Sequence, residues 1–126
     1  FSDRNLGWRP PSFCARGSRV SDSIVSPGCR VAGEVVSSVL SPGVSVAPGA
    51  VVRNCVIMHD VVIERGVHVE NSIIDKDARL EEGCEVGIFS EDGADAAQLT
   101  VVPRGYRVRP GQRLAPGADF ESLFMR

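Results

Sequence analysis

Four cysteines and two histidines are the residues of this chain best suited to ligate a metal or act as nucleophiles. They are Cys14, Cys29, Cys55, Cys84, His59 and His68. Thiolate and neutral imidazole are preferred zinc ligands, and a thiolate activated by a histidine is a nucleophile. Sites of this kind often show short spacings, yet no Cys-x-x-Cys pair occurs. The other chemistry on offer is anion binding. Lys76 and Arg79 lie close together, as do Arg104 and Arg107, in a chain whose net charge is −2. Clustered Lys and Arg suit phosphate groups. Which of these groups meet depends on the scaffold that carries them.

Residues 39–89 supply that scaffold. They repeat every 17 positions as VLSPGVSVAPGAVVRNC, VIMHDVVIERGVHVENS and IIDKDARLEEGCEVGIF. Leu40, Ile57 and Ile74 align, as do Val46, Ile63 and Leu80, and Val52, Val69 and Val86. A fixed period with aligned apolar positions means stacked units. Within a block the aliphatic steps are 6, 6 and 5 residues, so one turn of chain has three short sides. Val46–Val51, Ile63–His68 and Leu114–Asp119 each fit a hexapeptide pattern of aliphatic, small or acidic, two free, small, free. An earlier coil, Ile24–Ser38, has 15 residues and reads as the same unit with two missing at one corner. A later coil from Val101 repeats the phase at Val102, Val108 and Leu114.

The repeat is rich in Val and Ile, which suit pleated surfaces, and no long stretch shows a 3.6-residue apolar period. Its corners carry Gly and Pro, the residues that turns demand. An antiparallel sandwich has turns but no fixed period. The expected fold is an all-β parallel β-helix of about five coils, roughly 20–25 Å tall at ~4.8 Å per rung.

With 126 residues the chain is one domain by size. Its near-balanced charge shows no bias towards nucleic acid or membrane. No apolar run approaches a membrane span, and no signal-peptide pattern is present. It begins at Phe1 rather than Met and reads as a fragment or processed piece. Residues 1–19 read as a linker or strap, 20–118 as the helix, 88–98 as an inserted acidic loop, and 119–126 as a C-terminal cap.

The period gives each reactive residue a direction. Cys29 shares its phase with Val44, Val61 and Ala78; Cys84 with Ala50 and Val67; Cys55 with Ser38 and Ser72. All three point inward on different sides, as structural thiols in a reducing compartment. Cys14 lies outside the repeat and its direction stays open. His59 falls at a corner and His68 on an outward face, so no metal centre and no catalytic residue is expected. The glycines follow coil corners and mark no phosphate loop. Two outward columns stand out. Ile24, Val39, Val56, Ile73 and Val101 form an aliphatic stripe, a surface that calls for a cover. His59, Lys76 and Arg104 share one corner phase, and Arg79 and Arg107 share the next outward position, so together they form a candidate phosphate site.

The run 20–87, with Ser38-Val39-Leu40-Ser41-Pro42-Gly43, Val56-Ile57-Met58 and Ile73-Ile74-Asp75-Lys76-Asp77-Ala78-Arg79, resembles the C-terminal β-helix of glucose-1-phosphate adenylyltransferases. Leu99-Thr100-Val101-Val102-Pro103-Arg104-Gly105 is similar to that family's final coil. The resemblance implies a left-handed helix that mediates oligomer contacts, with a tetramer as the family's assembly, in a cytoplasmic enzyme of glycogen biosynthesis. It implies that catalysis, with Mg²⁺ and ATP, belongs to a missing N-terminal nucleotidyltransferase domain with a Gly-rich loop, and that this segment alone is non-catalytic and holds no cofactor. It also implies that Lys76, in the family's IIDKN-like motif, and Arg104, at a position usually lysine, bind a phosphorylated effector. Three alternatives stay open. One is the helix of another sugar-nucleotide pyrophosphorylase. Another is a stand-alone trimeric hexapeptide acyltransferase, for which His68 is the candidate histidine. The third is a purely structural assembly module.

Overall fold

The computed structural model describes residues 12–87 and 99–114, and the statements that follow concern those residues. The chain climbs in three-sided coils. The first carries β1 (Phe13–Cys14), β2 (Arg19–Ser21) and β3 (Ile24–Val25), and the second β4 (Arg30–Val31), β5 (Glu34–Val36) and β6 (Val39–Leu40). The third carries β7 (Ser45–Val46), β8 (Val51–Arg53) and β9 (Val56–Ile57). The fourth carries β10 (Val62–Ile63), β11 (His68–Glu70) and β12 (Ser72–Ile74). The fifth carries β13 (Arg79–Leu80), β14 (Glu85–Val86) and β15 (Thr100–Val102), and β16 (Arg107–Val108) and β17 (Arg113–Leu114) begin another.

Every pairing joins a strand to its equivalent on the next coil, in parallel. The result is a left-handed parallel β-helix with three flat faces. The first face stacks β1-β4-β7-β10-β13-β16, the second β17-β14-β11-β8-β5-β2, and the third β15-β12-β9-β6-β3.

The register explains the core. Val31, Val46, Ile63, Leu80 and Val108 point inward from the first face, Val35, Val52, Val69 and Val86 from the second, and Leu40, Ile57, Ile74 and Val102 from the third. All are buried. Burying one such side chain contributes about 1.5–3 kcal/mol, and here it also aligns the next rung. The corner thiols Cys29, Cys55 and Cys84 are buried and unbridged, as the period predicts, whereas Cys14 is exposed. Beside Cys55, Ser38 and Ser72 complete a small buried column. The Ser38 hydroxyl donates to the Val36 carbonyl at 2.8 Å and accepts the Cys55 N–H at 3.1 Å.

Two sequence expectations need correction. The helix begins by Phe13, not at residue 20, because β1 pairs with β4 and Arg19 already lies in β2. The first coil lacks a run of large aliphatics, with Cys14 in an inward position, so its phase is faint in the sequence. Turns are also not left to glycine and proline alone. Asp22, Ser37, Asn54 and Asn71 hold positive φ at one corner, and Asp60 and Asp77 do so at another. Short polar side chains tolerate this left-handed backbone by local hydrogen bonding. Asn54 and Asn71 stack, with Nδ2 of the first 2.8 Å from Oδ1 of the second.

The 15-residue coil is confirmed and its short corner is located. Arg30 pairs with Ser45 but Glu34 pairs with Val51, so the two residues are missing between β4 and β5. Ala32-Gly33 there replaces the Ala47-Pro48-Gly49-Ala50 corner of the next coil. The inserted loop 88–98, the cap 119–126 and the strap residues 1–11 lie outside the described residues.

Candidate functional site

The corner between the third and first faces is built from backbone outward. Its tip residues are Pro42, His59, Lys76 and Arg104 on successive rungs. The residue after each turns back, and its N–H donates to the carbonyl of the tip one rung away. Asp60 reaches Pro42 at 3.2 Å, Asp77 reaches His59 at 3.0 Å, and Gly105 reaches Lys76 at 2.9 Å. This ladder fixes the tips in one column. β12 pairs directly with β15, with Ile73 opposite Val101, so residues 88–98 do not displace a coil. Lys76 and Arg104 are therefore neighbours, about 4.8 Å apart along the axis, and both are exposed, as is His59.

On the adjoining face Arg79 and Arg107 are register partners. Their charge is already used. Arg79 Nε lies 2.8 Å from Glu64 Oε2, and Arg107 Nε lies 3.2 Å from Glu81 Oε2. Glu64 and Glu81 are thereby ion-paired rather than free corner charges. Sequence could not show the pairing, because Arg79 and Glu64 lie 15 residues apart and meet only through the coil. Lys76 and Arg104 have no carboxylate ion pair among the described residues. Asp75 turns to its own backbone neighbour, accepting the Lys76 N–H at 2.7 Å. The corner thus offers two adjacent cations, one a point charge and one a planar fork, which together can hold a phosphate or carboxylate group.

The other outward column is continuous. Ile24, Val39, Val56, Ile73 and Val101 are register partners down the third face. Ile73 is half-buried and the other four are between 37 and 65 % exposed. The cross-rung ion pairs lie on the other two faces, where Arg53–Glu34 and Arg113–Glu85 cover the second as Arg79–Glu64 and Arg107–Glu81 cover the first.

His68 projects from the second face between Val51 and Glu85, with Nε2 2.7 Å from Glu70 Oε2 but not aligned as a hydrogen bond. His59 and His68 are not brought together by the fold. Among the described residues, no three His, Cys, Asp or Glu side chains cluster as metal ligands. Burial pushes the Cys55 and Cys84 thiols up from 9.0 to about 12, which leaves them protonated and weakly nucleophilic at neutral pH. Clefts of about 210 and 320 Å³ flank the short Ala32-Gly33 corner, away from Lys76 and Arg104. No helix among the described residues is long and apolar enough to cross a membrane.

Comparison with known proteins agrees with this architecture. The chain is 35 % identical over 95 residues to a glucose-1-phosphate adenylyltransferase of Desulforamulus reducens, matching 75 % of this chain and 24 % of that protein. It is 43 % identical over 96 residues to the enzyme of that name from Bifidobacterium longum, matching 75 % and 23 %. With the one from Corynebacterium jeikeium it shares 44 % over 80 residues, 63 % and 20 % of the two chains. The chain thus spans under a quarter of the length of these relatives. Among solved structures, the N-terminal domain of CcmM, determined in complex with CcmN, superposes with a TM-score of 0.51 at 18 % identity, over 84 % of this chain and 98 % of that one, a likeness of fold. The model of the GlmU-like, C-terminal hexapeptide family matches residues 12–108. This is a hexapeptide-repeat β-helix domain resembling the C-terminal region of glucose-1-phosphate adenylyltransferases, and the chain belongs to the GlmU-like C-terminal hexapeptide family.

Proposed function

We propose that this β-helix is the regulatory and assembly domain of a glucose-1-phosphate adenylyltransferase, the enzyme that makes ADP-glucose and diphosphate from ATP and glucose 1-phosphate. The observation that carries the reading is the pair Lys76 and Arg104, stacked on adjacent rungs and free of carboxylate ion pairs among the described residues. A phosphorylated effector such as a sugar phosphate or a phosphoglycerate bridges these two cations to a catalytic domain outside this chain. His59 stands one rung further along. Arg79 and Arg107 shape the rim while bound to Glu64 and Glu81. Nucleotidyl transfer, with its Mg²⁺ and ATP, belongs to that other domain, and the matched part, 24 and 20 % of two relatives' length, leaves room for it. The stripe Ile24–Val101 is the contact face for assembly, towards that domain or towards other subunits in a cytoplasmic tetramer. Three buried unbridged thiols suit such a reducing setting.

Activation requires the effector to bind the active arrangement more tightly than the inactive one. In an enzyme carrying this domain, Lys76→Ala and Arg104→Ala raise the effector concentration needed for half-activation by tenfold or more, with little change in the unactivated rate. Unchanged activation in both variants refutes the reading. In the isolated chain, sugar bisphosphate raises the melting temperature, and the double variant loses that response.

A further inference from the structure

The first face changes character along its length. Its outward column runs Phe13, Arg30, Ser45, Val62, Arg79 and Arg107, each in register with the next. Arg79 and Arg107 pair with Glu64 and Glu81, which follow the inward aliphatic one rung earlier. The same step from Arg30 leads to Ala15. Ala32 and Ala47 hold that position on the next two rungs. Arg30 is exposed and has no carboxylate ion pair among the described residues. The three alanines also make room. They line the cleft of about 320 Å³ beside the short corner, where Phe13 and Pro48 add apolar walls and Arg30 is the one charged lining residue. The ring of Phe13 is largely open, at 62 % exposure. The shortened turn Ala32-Gly33 widens the cleft, because the second coil brings no counterpart of the Pro48-Gly49 tip.

We propose that this cleft binds a small organic monocarboxylate with a flat apolar body, of the arylacetate class. Its carboxylate takes beside Arg30 the place that Glu64 and Glu81 take beside Arg79 and Arg107, held by the planar fork of the guanidinium. The Ser45 hydroxyl, one rung on, is a second donor at the same wall. The apolar body lies against Phe13, Ala47 and Pro48 and removes their surface from water. The volume stands at the lower end of the about 300–1,000 Å³ usual for ligand pockets, which suits one ring and a short acid arm. A single cation in an otherwise apolar lining matches a single negative charge. A phosphate dianion is better served by the two cations Lys76 and Arg104, on another corner. The two sites therefore stand or fall separately.

Phenylacetate is the probe. Titrated into the whole chain, it shifts the backbone amide resonances of Phe13, Ala32 and Ala47 saturably in proton–nitrogen correlation spectra, and leaves those of Lys76 and Arg104 in place. Phenylacetamide has the same shape without the charge and binds about tenfold or more weakly. Arg30→Gln weakens phenylacetate binding by about tenfold or more. Ala15→Glu supplies the carboxylate from the chain itself, so it pairs with Arg30 and displaces the probe while far-UV circular dichroism holds. The comparison of the two ligands uses the parent chain, so it decides the matter even where a variant fails to fold. An absence of saturable shifts at Phe13, Ala32 and Ala47 overturns the proposal. So does equal affinity for phenylacetamide, or undiminished phenylacetate binding in folded Arg30→Gln or Ala15→Glu. Saturable shifts confined to Lys76 and Arg104 overturn it too, and assign the carboxylate to that corner.

Discussion

Gly33 is the residue on which the short corner depends, and replacing it by alanine separates steric cost from conformational cost. A Cβ at Gly33 would lie 2.5 Å from the Ala50 carbonyl oxygen and 2.7 Å from that of Ala47. Neither oxygen can yield easily. The Ala50 carbonyl accepts the Glu34 N–H at 2.9 Å, and the Ala47 carbonyl accepts the Ala50 N–H at 3.2 Å. Overpacking of this kind costs about 1–3 kcal/mol, and stretching the Glu34–Ala50 hydrogen bond adds about 0.5–1.5 kcal/mol. The expected loss for Gly33→Ala is therefore about 1.5–4.5 kcal/mol. Gly49 is the matched control. Its φ is +80°, but an added Cβ would meet only the Gly66 nitrogen, at 3.7 Å. Gly49→Ala should cost only the left-handed penalty, about 1–2 kcal/mol. Thermal melting followed by far-UV circular dichroism checks both. At roughly 4–8 °C per kcal/mol for a domain near this size, Gly33→Ala melts well below Gly49→Ala. A Gly33→Ala protein that melts with the parent, or above Gly49→Ala, refutes the account of the corner.

Other outcomes follow from the same structure. Cys55 and Cys84 titrate near 12 when folded and near 9.0 otherwise, so their contribution is complete below pH 9 and is lost as pH climbs towards 12. Urea denaturation should show stability falling in that window by up to about 1.4 kcal/mol per pH unit for each thiol, and a Cys55→Ala, Cys84→Ala protein should lose that slope. Ile57 is fully buried at the middle of the third face, and Ile57→Ala should cost about 2–5 kcal/mol in the same experiment. The Arg113 side chain is 72 % exposed where it meets Glu85, so Arg113→Ala should change stability by less than about 1 kcal/mol. If the aliphatic stripe is an assembly face, Val56→Lys lowers the molar mass measured by light scattering, while Val62→Lys on the first face leaves it unchanged.

Much of the fold was legible because the coil is a local period written along the chain. Leu40, Ile57 and Ile74 recur at intervals that fit a three-sided turn, and that spacing alone fixes which side chains meet. The inward cysteines and the outward stripe followed from the same count. The first coil was missed because Cys14 is a weak apolar marker and the coil that follows is shortened. The left-handed Asp, Ser and Asn residues had a signal in their short polar side chains, but they occupy corners where glycine was expected to do that work.

The candidate site was legible in its members and not in its electrostatics. Sequence phase placed Lys76, Arg79, Arg104 and Arg107 near one edge. Only the folded coil turned Arg79 to Glu64 and Arg107 to Glu81, leaving Lys76 and Arg104 as the adjacent cations without such partners among the described residues. The sequence by itself determined the stacking, because a strand repeat must bury its aliphatics on every turn. Tertiary structure decided which charges cancel and where the two missing residues sit. Those depend on contacts one rung away, and a rung in space lies 15 to 28 residues away along the chain.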